Sequence, residues 1–268
     1  VAKIETIEAL TNLDEILEEA DGVMVARGDL GTHITPEKVF LAQNMITTKA
    51  TIQGKFVILA RHCLQSMVSN PRPTRAEMTD VANAVLDGVH CVMLSAETAI
   101  GAFPVESVST VAAIARNAEA ATNYSILHNF IRDVTAKPFS TGEAVAAAAA
   151  ESSLDRAVQM VVVVSETGKI ANLLSKFKAS VPILLLTTDP KIAAAAKIMF
   201  AMYPCLVEFL GDRRDLPSLI GHAVKFARDT GVYTGGSVAV LHGANEPDTE
   251  IEPVMQLWSD KVLTRMMP

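Results

Sequence analysis

Lys3-Ile4-Glu5 sets an ammonium and a carboxylate two residues apart, so on an extended chain both side chains point the same way. Further on, the apolar run Gly22-Val23-Met24-Val25-Ala26 breaks into Arg27-Gly28-Asp29-Leu30-Gly31. An apolar run of strand length ending in a glycine-flanked aspartate presents a carboxylate at the exit of a buried strand, where a ligand can reach it. Two acids and a lysine at the carboxyl ends of two strands suit a metal ion together with a phosphate or carboxylate ligand. Either piece taken alone also reads as a surface salt bridge or a plain Gly-Asp turn. A second candidate is Ser165-Glu166-Thr167-Gly168-Lys169-Ile170, which follows an apolar run and opens a helical pattern. Hydroxyls, a glycine and free amides at a helix N-terminus suit a phosphate, and an ordinary strand-to-helix turn is the other reading.

The elements that must position these groups alternate. Strand patterns at Val1–Ile4, Gly22–Ala26, Lys55–Ala60 and His90–Ser95 are separated by amphipathic helices at Asn12–Ala20, Pro36–Gln53 and Thr79–Leu86. Four such units imply a parallel sheet with right-handed crossovers, and each strand ends in something polar: Glu5, Arg27-Gly28-Asp29, Arg61-His62 and Ser95-Ala96-Glu97-Thr98. In a (β/α)8 barrel these ends open on one face, which carries the active site. Helical patterns follow at Pro104–Asn123 and Ile126–Val134, then a helix capped by Thr141 with Glu143 in its first turn, running to Asp155. Strands at Val158–Val164, Val181–Leu186, Cys205–Phe209 and Ser237–Leu241 alternate with helices at Lys169–Lys176, Lys191–Phe200 and Asp215–Thr230, the pattern of an open α/β sheet. The expectation is therefore α/β: a partial (β/α)8 TIM barrel of four βα units over residues 1–120, then an open-sheet α/β domain over 121–268. The boundary falls within Ala121–Ser140.

The 268 residues are 50% hydrophobic and 20% charged, which places the chain among globular proteins. Aromatics make up only 5%, so the core must be built from Ala, Val, Leu, Ile and Met. A net charge of −7 argues against a broad nucleic-acid surface. Cys63, Cys91 and Cys205 are widely spaced and odd in number, which fits reduced cytoplasmic thiols better than a disulfide frame or a zinc site. No apolar stretch is long enough to cross a bilayer, and Val1 reads as the middle of a strand, as though something longer preceded it.

Several long motifs, in order, closely resemble pyruvate kinase: Lys3-Ile4-Glu5, Asp21 to Gly31, Glu37-Lys38-Val39-Phe40-Leu41-Ala42-Gln43, Asn70-Pro71-Arg72-Pro73-Thr74-Arg75-Ala76-Glu77, Asp80 to Gly88 and Met93-Leu94-Ser95-Ala96-Glu97-Thr98-Ala99. The resemblance implies the later half of the catalytic barrel followed by the C-terminal regulatory domain, and with it a cytoplasmic, allosteric, glycolytic homotetramer. The implied reaction is phosphoryl transfer from phosphoenolpyruvate to ADP, giving pyruvate and ATP. By resemblance, Glu5 and Asp29 hold Mg2+ (or Mn2+), and Lys3 faces the phosphoryl group in flight. The backbone at Ala26, Arg27 and Gly28 cradles the substrate carboxylate, with Asp29 and Ser95 beside it. The ligands of the family's K+ fall outside this chain, and 165–170 corresponds to a sugar-phosphate effector loop.

The chain also departs from the family pattern. Arg61 stands where the family has a threonine implicated in substrate binding and proton delivery; a guanidinium cannot take that hydroxyl's part, though it could clamp an anion or pair with Asp29 or Glu5. His33 replaces an acid, Ala96 a glycine and Ile170 a hydroxyl residue, while Glu166 would repel a phosphate. Near the last strand, Val254–Trp258, Glu252-Pro253 and Gln256 replace the family's Thr-Asn and basic residue. Trp258 reads as an interface or core anchor. Three functional readings follow: the active kinase, a catalytically impaired pseudoenzyme serving as a structural or regulatory subunit, and an aldolase-like barrel using Lys3 for a Schiff base.

Overall fold

The computed structural model describes residues 1–210, 216–243 and 253–266. Its first compact unit, Val1–Asn123, holds β1 (Ala2–Ile4), α1 (Ile7–Thr11), α2 (Leu13–Glu19), β2 (Gly22–Ala26), α3 (Arg27–His33), α4 (Val39–Ile52), β3 (Phe56–Ala60), α5 (Arg75–Leu86), β4 (Cys91–Met93), α6 (Ala96–Ala99) and α7 (Pro104–Ala121). The four strands lie in chain order and pair in parallel, Lys3 opposite Met24, Ala26 opposite Ala60, and Ala60 opposite Met93. Parallel pairing with a helix after each strand puts all four carboxyl ends on one rim. Ile4, Leu17, Val23, Val25, Ile46, Val57, Leu59 and Val81 are fully buried where helices cover the sheet, which is why these strands read as near-continuous apolar runs.

Local chemistry moves several expected boundaries. The helix expected over Asn12–Ala20 is α2, and a short helix not expected, α1, precedes it because Thr6 caps its start, the Thr6 Oγ1 accepting from the Ala9 amide at 3.2 Å. Pro36–Lys38 forms a 3-10 turn before α4 rather than its first turn. Helix α5 starts at Arg75 instead of Thr79, since Thr74 and Glu77 form a reciprocal capping box. The strand expected over His90–Ser95 shortens to β4: the His90 ring accepts from the Val57 amide, and the Ser95 amide turns to the Glu97 carboxylate.

The second unit, Tyr124–Pro268, holds α8 (Tyr124–Val134), α9 (Thr141–Leu154), β5 (Met160–Val164), α10 (Lys169–Lys176), β6 (Ile183–Thr187), α11 (Pro190–Ala196), β7 (Met202–Leu206), α12 (Leu216–Asp229), β8 (Val238–His242), β9 (Val254–Trp258) and α13 (Asp260–Met266). Its sheet runs β7-β6-β5-β8-β9, parallel except for β9, an open doubly wound arrangement. Ser140, not Thr141, caps α9, completing a capping box with Glu143. Strand β7 begins three residues before the expected Cys205, because the Ile183 amide already bonds the Ala201 carbonyl and Met202 pairs with Ile183; Phe209, expected inside it, is 73% exposed. Asp215 and Glu252 lie outside the described residues. Cys63 and Cys205 are buried, Cys91 is half-buried, and all three are free thiols. Among the described residues no helix is long and apolar enough to cross a membrane.

Candidate functional site

At the polar rim of the first unit, the Lys3 ammonium joins the two acids. It donates to Asp29 Oδ2 at 2.7 Å and to Glu5 Oε2, although Lys3 and Asp29 come from neighbouring strand ends far apart in sequence. The Asp29 hydrogen bond, then that to Glu5, holds the Lys3 pKa above its ordinary value; the same bond to Lys3 draws the Asp29 carboxyl below the usual carboxylate range. Schiff-base chemistry needs an unprotonated amine, so this setting works against the aldolase-like reading.

Asp29 does not sit in a turn. The chain passes directly from β2 into α3, with Asp29 in the helix's first turn, where an acid is favoured and the leading amides lack intrahelical partners. The Arg27 side chain is buried to 11% exposure in a different task. Its Nη1 grips both Asp80 oxygens at 2.8 and 2.7 Å; its Nε and Nη2 donate to the Arg61 carbonyl at 3.2 and 3.0 Å, and Nη2 also to the His62 carbonyl at 3.0 Å. What Arg27 leaves for a ligand is its backbone. The loop it holds is strained: Arg61 and His62 are consecutive left-handed residues, at φ 74° and 55°. Gly28 lies under that loop, since a β-carbon there would meet Arg61 Cδ at 3.3 Å and His62 Cε1 at 3.4 Å.

Across the rim, Glu97 is 1% exposed and accepts from the Ser95 amide at 2.8 Å and the Leu64 amide at 3.1 Å, tying the exit of β4 to the loop after β3. A cavity of about 480 Å³ opens here, lined among others by Lys3, Ala26, Arg61, Ser95 and Ala96. Lys3, Ala26, Arg61 and Ser95 thus share one space, while Glu5 and Asp29 join it only through their bonds to Lys3, and Gly28 only through its contact with Arg61. Arg61 forms no ion pair among the described residues, so it is not bonded to Asp29 or Glu5, though its charge contributes to lowering the Asp29 pKa. His33 ends α3, exposed. Asp80 and Glu97 stand in the motifs with no role that spacing assigns, because their partners Arg27 and Leu64 lie too far off in sequence.

In the second unit the loop 165–170 closes on itself. Ser165 is buried and its Oγ accepts from the Gly168 amide at 3.0 Å; Gly168 caps α10 at φ 70°, a conformation glycine adopts freely. Ile170 faces the core at 5% exposure, which leaves Glu166, Thr167 and Lys169 facing solvent. Trp258 is half-buried against the core of this unit, its indole N–H donating to Gln256 at 3.0 Å.

Comparison with known proteins places these two units in a consistent context. Residues 1–108 match the family model described as pyruvate kinase, barrel domain, and residues 143–250 match pyruvate kinase, alpha/beta domain. A pyruvate kinase of Eimeria tenella is 42% identical over 247 residues, which is 92% of this chain and 46% of that protein. Pyruvate kinase 2 of Saccharomyces cerevisiae is 45% identical over 243 residues, covering 90% of this chain and 48% of the relative. The crystal structure of a pyruvate kinase from Cryptosporidium parvum superposes with a TM-score of 0.89 at 38% identity, over 96% of this chain and 50% of that one. The chain spans about half the length of the curated relatives it matches.

Proposed function

The chain belongs to the pyruvate kinase family, as a barrel segment followed by the alpha/beta domain, and on that premise we propose that it carries part of a Mg2+-dependent phosphotransferase site acting on phosphoenolpyruvate and ADP to give pyruvate and ATP in glycolysis. The observation that carries this reading is the Lys3 ammonium bridging Glu5 and Asp29 beside an open cavity.

Two carboxylates at adjoining strand ends fit a hard divalent ion, which uses one or two protein oxygens and leaves its remaining positions to water and phosphate. Among the described residues no group of three or more His, Cys, Asp or Glu gathers, so Glu5 and Asp29 would hold Mg2+ or Mn2+ without further side chains of those types. When bound, the ion neutralises charge on phosphoryl oxygens. Lys3 stays protonated and stabilises negative charge on the transferring phosphoryl group and on the enolate oxygen. The amides at the start of α3 and Ser95 orient the substrate carboxylate. K+ as second cofactor, a homotetramer, a cytoplasmic setting and a sugar-phosphate effector at 165–170 complete the reading. At that loop the effector would meet Glu166, Thr167 and Lys169 rather than Ser165 or Ile170.

Arg61 favours a second reading, a catalytically impaired pyruvate kinase-like subunit, because no hydroxyl stands at the cavity wall after β3 to deliver a proton to the enolate. A coupled assay of ATP formation on the full-length protein decides between the two. Turnover that Lys3→Met lowers at least about a hundredfold supports the kinase. No turnover, with Mn2+ and phosphoenolpyruvate still bound, supports the impaired subunit. Failure to bind either ligand refutes both.

A further inference from the structure

Of the cavity's two cations, Lys3 is already neutralised by Glu5 and Asp29, whereas Arg61 has no ion-pair partner among the described residues. The fold nevertheless fixes Arg61 firmly. Its backbone is held at φ 74°, next to His62 at 55°, by Arg27 hydrogen bonds to both carbonyls, and Arg27 is anchored in turn by Asp80. The aliphatic stem of Arg61 packs over Gly28, the second residue of α3, and Arg61 itself lines the cavity. A planar guanidinium with five donors is suited to bidentate capture of a carboxylate. We propose that Arg61 is a second anion-binding group of this cavity, gripping the carboxylate end of a small phosphorylated acid, so that the ligand is retained without the divalent ion.

The proposal rests on the phosphoenolpyruvate reading above and adds a claim that can fail separately. A fixed positive charge at the carboxylate end supplies part of the attraction that the metal otherwise provides, so the coupling between metal and ligand shrinks. Calorimetric titration of the full-length protein with phosphoenolpyruvate, in EDTA and in Mg2+, reads this directly. Threonine at φ 74° would strain the loop, so the informative variants are Arg61→Asn, which tolerates the left-handed region, and Arg61→Lys, which keeps the charge. The wild type is expected to bind in EDTA. There Arg61→Asn weakens binding tenfold or more and Arg61→Lys by less, while in Mg2+ the Asn variant loses under threefold. Titration with pyruvate, which carries only the carboxylate, should show the same dependence on Arg61, and titration with inorganic phosphate should not. Equal binding by wild type and Arg61→Asn in EDTA, or binding by the wild type only with Mg2+, overturns the role of Arg61 and leaves the kinase reading standing. No binding under either condition overturns both.

Discussion

Arg27 Nη1 donates to both carboxylate oxygens of Asp80 across 53 residues of sequence, at 2.8 and 2.7 Å, with the Arg27 side chain only 11% exposed and that of Asp80 40%. The pair joins the first turn of α3 to α5, and through the Arg61 and His62 carbonyls it holds the strained loop after β3. Replacing Asp80 by Asn removes the charge but keeps the shape, leaving a mostly buried guanidinium with neutral acceptors only. The expected loss is about 1–3 kcal/mol of stability, read as a lower urea midpoint at unchanged slope. An unchanged midpoint would mean that the carbonyls suffice to hold Arg27.

The second unit allows a comparison of two devices at one helix start. Ser140 accepts from the Glu143 amide at 3.2 Å, and Glu143 also receives the Lys176 ammonium at 3.0 Å, where the lysine side chain is 3% exposed. Ser140→Ala removes an N-cap, expected to cost about 1 kcal/mol. Glu143→Gln strands a buried ammonium and is expected to cost about 3 kcal/mol or more. Thermal or urea denaturation of the two variants should rank them in that order; the reverse order would show that Lys176 finds other solvation.

Lys178 sets a pH dependence. It is 2% exposed, its amine lies 4.6 Å from the centre of the Phe200 ring, and burial pulls its pKa down to about 7. An unfolded lysine titrates near about 10.4, so between these values the unfolded chain binds more protons than the folded one. Its contribution to stability therefore rises as pH increases from neutral toward 10. Lys178→Met should remove that part of the slope and raise stability at pH 7. The check is the difference in urea midpoint between wild type and variant at pH 7 and pH 9.5, which isolates Lys178 from cysteines titrating in the same range. A difference that stays constant with pH would contradict the assignment.

Where local and tertiary preferences agreed, the elements were legible from the residues alone. The run Gly22–Ala26 is β2 to the residue, and Lys169–Lys176 is α10 to the residue, because apolar strand, glycine and helix period all point the same way. Misplaced boundaries arose where a cap or a pairing competed: Thr74 with Glu77 at α5, Ser140 with Glu143 at α9, and Ile183 drawing β7 forward to Met202. Lys3, Glu5 and Asp29 could be named as a group, since strand exits of a parallel sheet converge by topology. The clamp of Arg27 on Asp80, Arg61 and His62 could not, because side-chain reach between separate rim loops leaves no periodicity in the chain.

By itself the sequence determined the α/β class, the family and the residue types at the rim, because alternating apolar runs and polar strand ends are local properties that parallel topology turns into one face. Only the tertiary structure decided what those residues do to one another. It turned the Gly-Asp segment into the first turn of a helix, spent the Ser165 hydroxyl on closing its own loop, neutralised Lys3 with two acids, and held Arg61 over Gly28 with no acid of its own among the described residues. Charge and hydrogen-bond capacity are written in residue types, but whether they are already satisfied depends on distances that only the folded chain sets.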